Sequence, residues 1–154
     1  MKLMPTEQYA IRPMMVKDIV LVSTLATLTM PYPWSETVFY DCLKSEYESR
    51  VLIKDGLILG FVVLLMHAGE CHLMNIAVHP SYQGHGYGKK LLSCALQMAE
   101  ERKACQILLE VRKSNDSAIK LYEDSGFSEV GVRPDYYPGD HGREDAVIMS
   151  LFVV

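Results

Sequence analysis

Residues 78–90 read Val-His-Pro-Ser-Tyr-Gln-Gly-His-Gly-Tyr-Gly-Lys-Lys, with three alternating glycines at positions 84, 86 and 88. An apolar strand precedes this stretch. An amphipathic helix pattern follows it, and its apolar positions are Leu91, Leu92, Ala95, Leu96 and Ala99. A glycine-rich turn between a strand and a helix directs backbone N–H groups at an anion, and the helix dipole reinforces them. The sequence therefore predicts a phosphate-binding loop here.

Two familiar nucleotide loops do not fit the spacing. A Walker A loop needs glycine five residues before its Gly-Lys pair and a hydroxyl after it, where this chain has Gln83 and Lys90. The dinucleotide pattern G-x-G-x-x-G fails too, because its third glycine would fall at Lys89 or Leu91. The pattern that fits is Q-x-x-G-x-G, formed by Gln83, Gly86 and Gly88.

A strand, Q-x-x-G-x-G and an amphipathic helix resemble the acetyl-coenzyme A pyrophosphate site of the GCN5-related N-acetyltransferases (GNAT). Further segments resemble the bacterial subfamily that acetylates the N-terminal alanine of a ribosomal protein; they are PWSE (33–36), LEVR (109–112), SN (114–115), AIKLYEDSGF (118–127) and YYP…GREDAVIM (136–149). The resemblance runs from about residue 33 to 151. It implies a mixed α/β fold whose central twisted sheet, mostly antiparallel, has about 6–7 strands flanked by about four helices. We expect one acetyltransferase domain over residues 1–154.

Local patterns predict the first elements. Helical spacing favours a helix over Val16–Leu28, with Asp18 in its first turn. Ser35 can cap a second helix, with Trp34 and Phe39 as a hydrophobic staple. The buried stripe of that second helix is predicted to be Val38, Phe39, Cys42 and Leu43.

Strands and turns dominate the rest of the chain. Asp55-Gly56 between two apolar runs predicts a hairpin of Arg50–Lys54 and Leu57–Met66. The later predicted elements are strands over Cys71–Val78 and Gln106–Val111, a helix from about Asn115 to Ser125 ended by Gly126, and strands over Phe127–Tyr137 and Ala146–Val153 around a polar turn, Pro138–Asp145.

Composition limits the classes of function. Hydrophobic residues make up 49% and charged residues 22% of the 154 residues, which excludes a disordered chain. A formal net charge of -4 argues against direct nucleic-acid binding. The longest apolar run, Leu57–Met66, is about half of the roughly 20 residues that a membrane helix needs, so no membrane partner is expected.

Cysteine and histidine spacing indicates neither a metal site nor a disulfide framework. Cys42, Cys71, Cys94 and Cys105 form no C-x-x-C pair, and the five histidines show no paired helical spacing. The N-terminal residues lack the apolar core of a secretory signal. We therefore expect a cytoplasmic, metal-independent protein whose cysteines serve in packing.

Acetyl transfer to an amine needs a group that removes the amine proton. A peptide α-amine has a pKa near 8, so a carboxylate base can contribute at neutral pH. Glu110, at the C-terminal end of the strand Gln106–Val111, is placed where a splayed sheet could admit substrate. A solvated glutamate at a strand end is the ordinary alternative. The LEVR resemblance implies that Glu110 is the proton acceptor.

The departing thiolate needs a proton. Asn115, Ile119 and Tyr122 recur at i, i+4 and i+7, so one ligand could touch both polar side chains. Proton transfer from a tyrosine with a pKa near 10 to a thiolate with a pKa near 8.5 costs roughly 2 kcal/mol. A core tyrosine is the ordinary alternative. The resemblance implies that Tyr122 is the proton donor and that Asn115 contacts coenzyme A.

The resemblance also implies the other ligand contacts. The backbone of the strand containing Ile76, Ala77 and Val78 would pair with the pantetheine arm. The predicted loop contacts to acetyl-CoA are Gln83, Gly84, His85, Gly86, Tyr87, Gly88 and Lys89. Candidate acceptor contacts are Tyr32, Glu36 and Tyr137. Family members carry a strand bulge that directs an N–H at the thioester; the sequence alone leaves its presence here open.

These expectations combine into one function. The chain is expected to transfer acetyl from acetyl-CoA to a protein N-terminal amine, which the resemblance identifies as the N-terminal alanine of small-subunit ribosomal protein eighteen. Two alternatives stay open at this stage. One is transfer to a lysine side chain or a small amine, and the other is a coenzyme A-binding sensor without transfer activity. The sequence does not indicate the oligomeric state.

Overall fold

The computed structural model describes residues 8–153, and within this range the chain forms one seven-stranded sheet flanked by four α-helices. The strands are β1 (Ala10–Pro13), β2 (Tyr47–Lys54), β3 (Leu57–His67), β4 (Glu70–Val78), β5 (Gln106–Arg112), β6 (Ser128–Gly139) and β7 (Gly142–Phe152). The helices are α1 (Ile19–Thr29), α2 (Glu36–Lys44), α3 (Tyr87–Glu101) and α4 (Asp116–Asp124). The spatial order is β1-β2-β3-β4-β5-β7-β6, and among these pairs β4–β5 alone is parallel. The predicted mixed, mostly antiparallel fold is confirmed.

Two local signals predicted from sequence are confirmed in atomic detail. Asp55 (φ 51°) and Gly56 (φ 76°) both adopt the left-handed conformation of a two-residue hairpin turn between β2 and β3. At the start of α2, Ser35 Oγ accepts a hydrogen bond from the Val38 N–H at 3.4 Å. Trp34 and Phe39 form the predicted staple, with ring centroids 5.4 Å apart.

Helix α2 buries a narrower face than the sequence predicts. Phe39 and Cys42 are buried, and the Phe39 ring meets the Phe61 ring of β3 edge to face at 5.3 Å. Val38 stays 38% exposed. The prediction is wrong at Val38 because this residue lies about 100° around the helix from Phe39, on which the contact with the sheet is centred.

The N-terminal segment contains a strand that the sequence patterns did not reveal. Strand β1 is four residues long and pairs with β2 at the sheet edge. The predicted first helix begins as a 3-10 turn, Val16–Asp18, before α1. The Asp18 carboxylate accepts hydrogen bonds from Arg12 at 2.7 and 2.9 Å and from the Met15 N–H at 2.8 Å, and the Arg12 bonds lower the pKa of Asp18.

A bulge in β4 changes which of its residues face each of the two hydrophobic cores. One core lies between the sheet and α3 and α4, and the other lies under α1 and α2. In the pairing with β3, Leu73 lies opposite Leu64 and Asn75 lies opposite Val63, so Met74 is an additional residue. Before the bulge, odd positions such as Leu73 face the α3 core; after it Ile76 and Val78 do, and Ala77 joins the α1 and α2 core.

Strands β4 and β5 part halfway along their length. They pair from Glu70–Gln106 to Leu73–Leu109, and the pairing stops there, whereas β5 stays paired with β7 up to Arg112. The carboxyl-terminal halves of two parallel strands therefore diverge at the centre of the sheet. This is the type of position where α/β sheets bind ligands.

The β6–β7 hairpin is longer than the sequence predicts. Pairing continues through Tyr137–Glu144 and Pro138–Arg143, so the turn is Asp140–His141 rather than the predicted Pro138–Asp145. The charged residues that suggested a solvated turn stabilise the β6–β7 hairpin. The Arg143 side chain donates hydrogen bonds to the backbone oxygens of Asp135 and Tyr136, both at 2.8 Å.

Candidate active site

The glycine loop joins the end of β4 to the start of α3. Gly84 (φ +82°) and Gly86 (φ +85°) both occupy the left-handed region, and a Cβ built on either would meet no atom within 4 Å. Gly86 is the N-cap of α3 and provides no side chain to the first helical N–H groups. Because those groups have no partner inside the helix, the loop can present them to an anion, which fits the predicted pyrophosphate site.

Two predicted cofactor-contacting side chains of this loop hydrogen-bond to the protein itself. Gln83 Nε2 donates a hydrogen bond to the backbone oxygen of Val78 at 3.0 Å and so fixes the loop to the strand. Tyr87 is 2% exposed, and its hydroxyl accepts a hydrogen bond from Lys54 Nζ at 3.1 Å. Any contact that Tyr87 makes with a ligand would therefore involve its backbone.

Strand β4 offers an open backbone edge beyond its bulge. Residues 75–78 remain hydrogen-bonded to β3 on one side and have parted from β5 on the other. An extended ligand can pair with such an edge. The bulge at Met74 answers the question that the sequence left open, and Ile76, Ala77 and Val78 lie along the edge between this bulge and the glycine loop.

Glu110 lies on β5 immediately after the last residue that pairs with β4. Its side chain is 28% exposed, and its Oε1 is 2.8 Å from Nε of Arg133 on β6. The Tyr136 side chain lies near the same carboxylate, and its interaction with Glu110 is the largest cause of the raised pKa of Tyr136. A half-buried carboxylate with two partners thus lies at the opening between β4 and β5.

Tyr122 lies on α4, on the other side of the sheet. It is 5% exposed, and its ring centroid is 5.8 Å from that of Phe127. Burial raises the pKa of Tyr122 above its ordinary value, with a smaller contribution from Tyr137, so the phenol is neutral at physiological pH. The charge of Glu110 in turn contributes to raising the pKa of Tyr137 to about 12, for which burial is the largest cause. Tyr137 therefore interacts electrostatically with both predicted catalytic residues.

Arg112 connects two of the predicted acceptor contacts. Its guanidinium carbon is 5.0 Å from the ring centroid of Tyr32 and 4.6 Å from that of Tyr137. The Tyr32 hydroxyl also donates a hydrogen bond to Asp140 at 3.3 Å. The loop before α2 and the β6–β7 hairpin therefore meet over the end of β5.

Two predicted contacts lie outside this cluster. Glu36 is exposed in the first turn of α2, and within residues 8–153 it hydrogen-bonds to none of the cluster residues. Asn115 is the N-cap of α4 rather than a helical residue, and its Oδ1 accepts a hydrogen bond from the Ala118 N–H at 3.2 Å. The face shared with Tyr122 is predicted for a helical Asn115, whereas this residue caps the helix, so its contact with coenzyme A stays a prediction.

Sequence reasoning missed Arg112, Arg133 and Tyr136. A weak signal existed for two of them. Arg112 follows Glu110 by two residues, so both point to the same face of β5. Tyr136 directly precedes Tyr137 in the YYP segment. Arg133 had no sequence signal, because its contact with Glu110 depends on the pairing of β6 and β7.

The cysteines differ in their surroundings. Cys42 and Cys71 are buried and Cys94 is half-buried; burial raises the pKa of all three thiols, that of Cys71 to about 11. Cys105 is exposed, so the prediction that all four serve in packing is wrong there.

In the part of the chain that the structure describes, no three His, Cys, Asp or Glu residues are grouped to hold a metal ion. No helix in that part is long and apolar enough to span a bilayer.

Comparison with known proteins identifies the family. Residues 19–127 match the Acetyltransferase (GNAT) family, and the chain belongs to this family. It is 38% identical over 141 residues to the [ribosomal protein bS18]-alanine N-acetyltransferase of Escherichia coli K12, covering 84% of this chain and 95% of that protein. A putative enzyme of the same description from Bacillus subtilis is 34% identical over 146 residues, covering 94% of this chain and 95% of that protein.

A solved structure agrees with these relatives. The crystal structure of the ribosomal-protein-S18-alanine N-acetyltransferase from Escherichia coli superposes with a TM-score of 0.89. The two chains are 36% identical, and the match covers 95% of this chain and 94% of the other. The resemblance inferred from the sequence motifs is confirmed.

Proposed function

We propose that this protein transfers the acetyl group of acetyl-CoA to the α-amine of the N-terminal alanine of ribosomal protein bS18, in the cytoplasm where ribosomes assemble. The observation that carries the proposal is the gap between β4 and β5, which has the glycine loop at the end of β4 and Glu110 on the facing strand. The relatives named for this reaction, aligned over most of the chain, supply the acceptor.

The residues present fit acetyl-CoA. The loop at Gly84–Gly86 has open space beside the first N–H groups of α3, which have no partner inside the helix and can face a diphosphate, and the β4 edge beyond Met74 has backbone groups for an extended amide-containing arm. Bound acetyl-CoA supplies an acetyl group activated as a thioester.

Glu110 acts as the base for the acceptor amine. The α-amine is mostly protonated at neutral pH, and only its neutral form can attack a carbonyl. A carboxylate at the opening of the gap can remove that proton directly or through one water. The acceptor amine, once bound, competes with Arg133 for the carboxylate, which is possible because the Arg133 side chain is 57% exposed.

Tyr122 acts as the proton donor to the departing sulfur. Its burial keeps the phenol neutral, so the proton is present at every pH at which the enzyme would work. The same burial makes donation more costly than the roughly 2 kcal/mol expected for free tyrosine and free thiol. Tyr122 therefore stabilises the developing thiolate as a hydrogen-bond donor before any proton moves.

Attack is direct rather than through an acyl-cysteine. Burial raises the pKa of Cys42, Cys71 and Cys94, which leaves these thiols protonated and poorly nucleophilic. Cys105 precedes β5, at the end opposite to Glu110.

The test is an acceptor panel at fixed pH. The protein and acetyl-CoA are mixed with a peptide of the first residues of bS18 beginning with alanine, the same peptide with a blocked N-terminus and an internal lysine, and spermidine. We expect thiol release and one added acetyl group only with the free alanine terminus. Acetylation of lysine or spermidine alone would point to the small-amine alternative, and coenzyme binding without thiol release would point to a sensor. Either result overturns the proposal.

A further inference from the structure

We propose that Arg112 is a positioning residue that holds the acceptor-side wall of the active site, formed by Tyr32 and Tyr137, in place beside Glu110. The inference rests on the proposed function, because it concerns the acceptor that this function defines. Arg112 touches no reacting atom in the proposal and acts through its neighbours.

The contacts of Arg112 reach three separate parts of the chain. Its guanidinium lies 5.0 and 4.6 Å from the ring centroids of Tyr32 and Tyr137. Its Nη1 donates a hydrogen bond to the Pro138 backbone oxygen at 2.8 Å and lies 3.7 Å from Glu144 Oε2. One side chain thus ties the loop before α2 to both strands of the β6–β7 hairpin.

Each of these partners has a second contact that makes the cluster continuous. Tyr32 is hydrogen-bonded to Asp140 at the tip of the hairpin. Glu144 accepts a hydrogen bond from the Ser114 N–H at 2.8 Å, just after β5, and the bonds with Ser114 and Arg112 lower the pKa of Glu144. Glu144 is therefore ionised at neutral pH and available to Arg112.

The position of Arg112 gives these contacts a functional consequence. It lies two residues after Glu110 on the same face of β5, and its side chain is only 18% exposed. Tyr137 is adjacent to Tyr136, whose pKa is raised by its interaction with Glu110. A displacement of the Tyr137 backbone would therefore move the surroundings of the base as well as the acceptor wall.

Lysine cannot replace arginine in this role. The guanidinium is planar, so it can lie against aromatic rings while its N–H groups point to a carbonyl and a carboxylate, whereas an ammonium is a compact and strongly hydrated charge. A lysine at position 112 would keep the charge and lose the simultaneous contacts.

The experiment compares Arg112→Lys with Arg102→Lys. Arg102 is the C-cap of α3, at the end away from the glycine loop, and pairs with Glu48. With the alanine-terminated peptide we expect Arg112→Lys to lower kcat/KM by roughly 10- to 100-fold, because misplaced binding groups reduce rates by this order. Most of this decrease should come from a higher KM for the peptide. The KM for acetyl-CoA should stay within about two-fold. Arg102→Lys should leave kcat/KM, the KM for the peptide and the KM for acetyl-CoA unchanged.

Trp34 supplies a second readout. It is the chain's one tryptophan and lies two residues after Tyr32. When the peptide is titrated, the change in Trp34 fluorescence should reach its midpoint at a lower peptide concentration in the wild type than in Arg112→Lys. Tyr32→Leu should weaken peptide binding more than Tyr32→Phe, because phenylalanine keeps the ring that faces Arg112.

The outcomes separate this inference from the proposed function. If the wild type acetylates the peptide and Arg112→Lys matches it in peptide KM and in fluorescence titration, the inference is wrong and the function stands. An increase in the KM for acetyl-CoA equal to the increase in the KM for the peptide would also overturn the inference, since it would indicate general destabilisation. If the wild type acetylates no alanine peptide, the proposed function fails first.

Discussion

The Nε atom of Arg133 lies 2.8 Å from Oε1 of Glu110, so the proposed base is already paired before any acceptor arrives. An ion pair of this kind could serve structure alone. Arg133 is 57% exposed, however, and solvent weakens such pairs to a contribution of about 0–1 kcal/mol. The fold therefore has little reason to depend on Glu110, which makes its substitution a clean probe of chemistry.

Glu110→Gln should lower kcat by about 10²–10⁴-fold at pH 7, the range that general base catalysis supplies. The deficit should narrow as the pH rises from 7 to 9, because the α-amine, with a pKa near 8, loses its proton without help. Acetyl-CoA affinity should be unchanged. Initial rates across this pH range, with calorimetric binding of the donor, check the prediction, and a rate equal to wild type at pH 7 would remove Glu110 from the mechanism.

Arg133→Gln is the matched control for the ion pair. If Glu110 served mainly to hold Arg133, both substitutions would have the same effect. We expect Arg133→Gln to change kcat by less than about three-fold, because the Arg133 side chain is 57% exposed and solvent screens its charge. Equal losses in the two variants would indicate a structural role for Glu110.

Tyr122→Phe should lower kcat by about 10²-fold while the protein keeps its stability, because the ring that packs against Phe127 remains. Unfolding midpoints of the two proteins, compared with single-turnover rates, separate chemistry from folding. A rate that depends on Tyr122 only through a loss of stability would contradict the role proposed for its hydroxyl.

Gly86→Ala should raise the KM for acetyl-CoA, by about 10-fold, since Cβ strain at φ +85° displaces the first helical N–H groups of α3. Gly69→Ala is its control: φ is +79°, a Cβ there also meets no atom within 4 Å, and Gly69 precedes β4, at the end of that strand opposite to the loop. Both variants should lose similar stability, roughly 1 kcal/mol. A normal KM in Gly86→Ala would argue against the loop as the diphosphate site.

Asp18→Asn tests the N-terminal ion pair through its pH dependence. Hydrogen bonds from Arg12 lower the folded-state pKa of Asp18, so its stabilising effect is present above the unfolded pKa near 3.9 and disappears as the pH falls through the folded value. Urea unfolding should show the variant less stable than wild type at pH 7 and equal to it well below pH 4. Asp41→Asn, an exposed carboxylate on α2, should show no such difference.

Features that depend on neighbouring residues could be predicted from the sequence. The Asp55-Gly56 turn, the Ser35 cap and the stop at Gly126 (φ +100°) each follow from backbone preferences within a few positions. The Q-x-x-G-x-G spacing and the LEVR segment also indicate the family from the sequence alone.

Features that depend on distant pairing could not be predicted. Strand β1 is too short to show a period and exists because β2 offers it an edge. The ribbon of Pro138–Arg143 looked like a loop because its residues are polar, and polarity does not reveal cross-strand bonds. The contact of Arg112 with Tyr32 joins positions 80 residues apart in the printed sequence, and no local pattern encodes it.

The parting of β4 from β5 also leaves a signature in isotope exchange. Along residues 75–78, amides that point toward β3 are bonded, and those that point toward the parted β5 have no strand partner. Adjacent amides of one short stretch should therefore take up deuterium at two very different speeds. The amides that face β3 are protected from exchange and those that face β5 are not. A ligand bound along the strand would slow exchange in the second set.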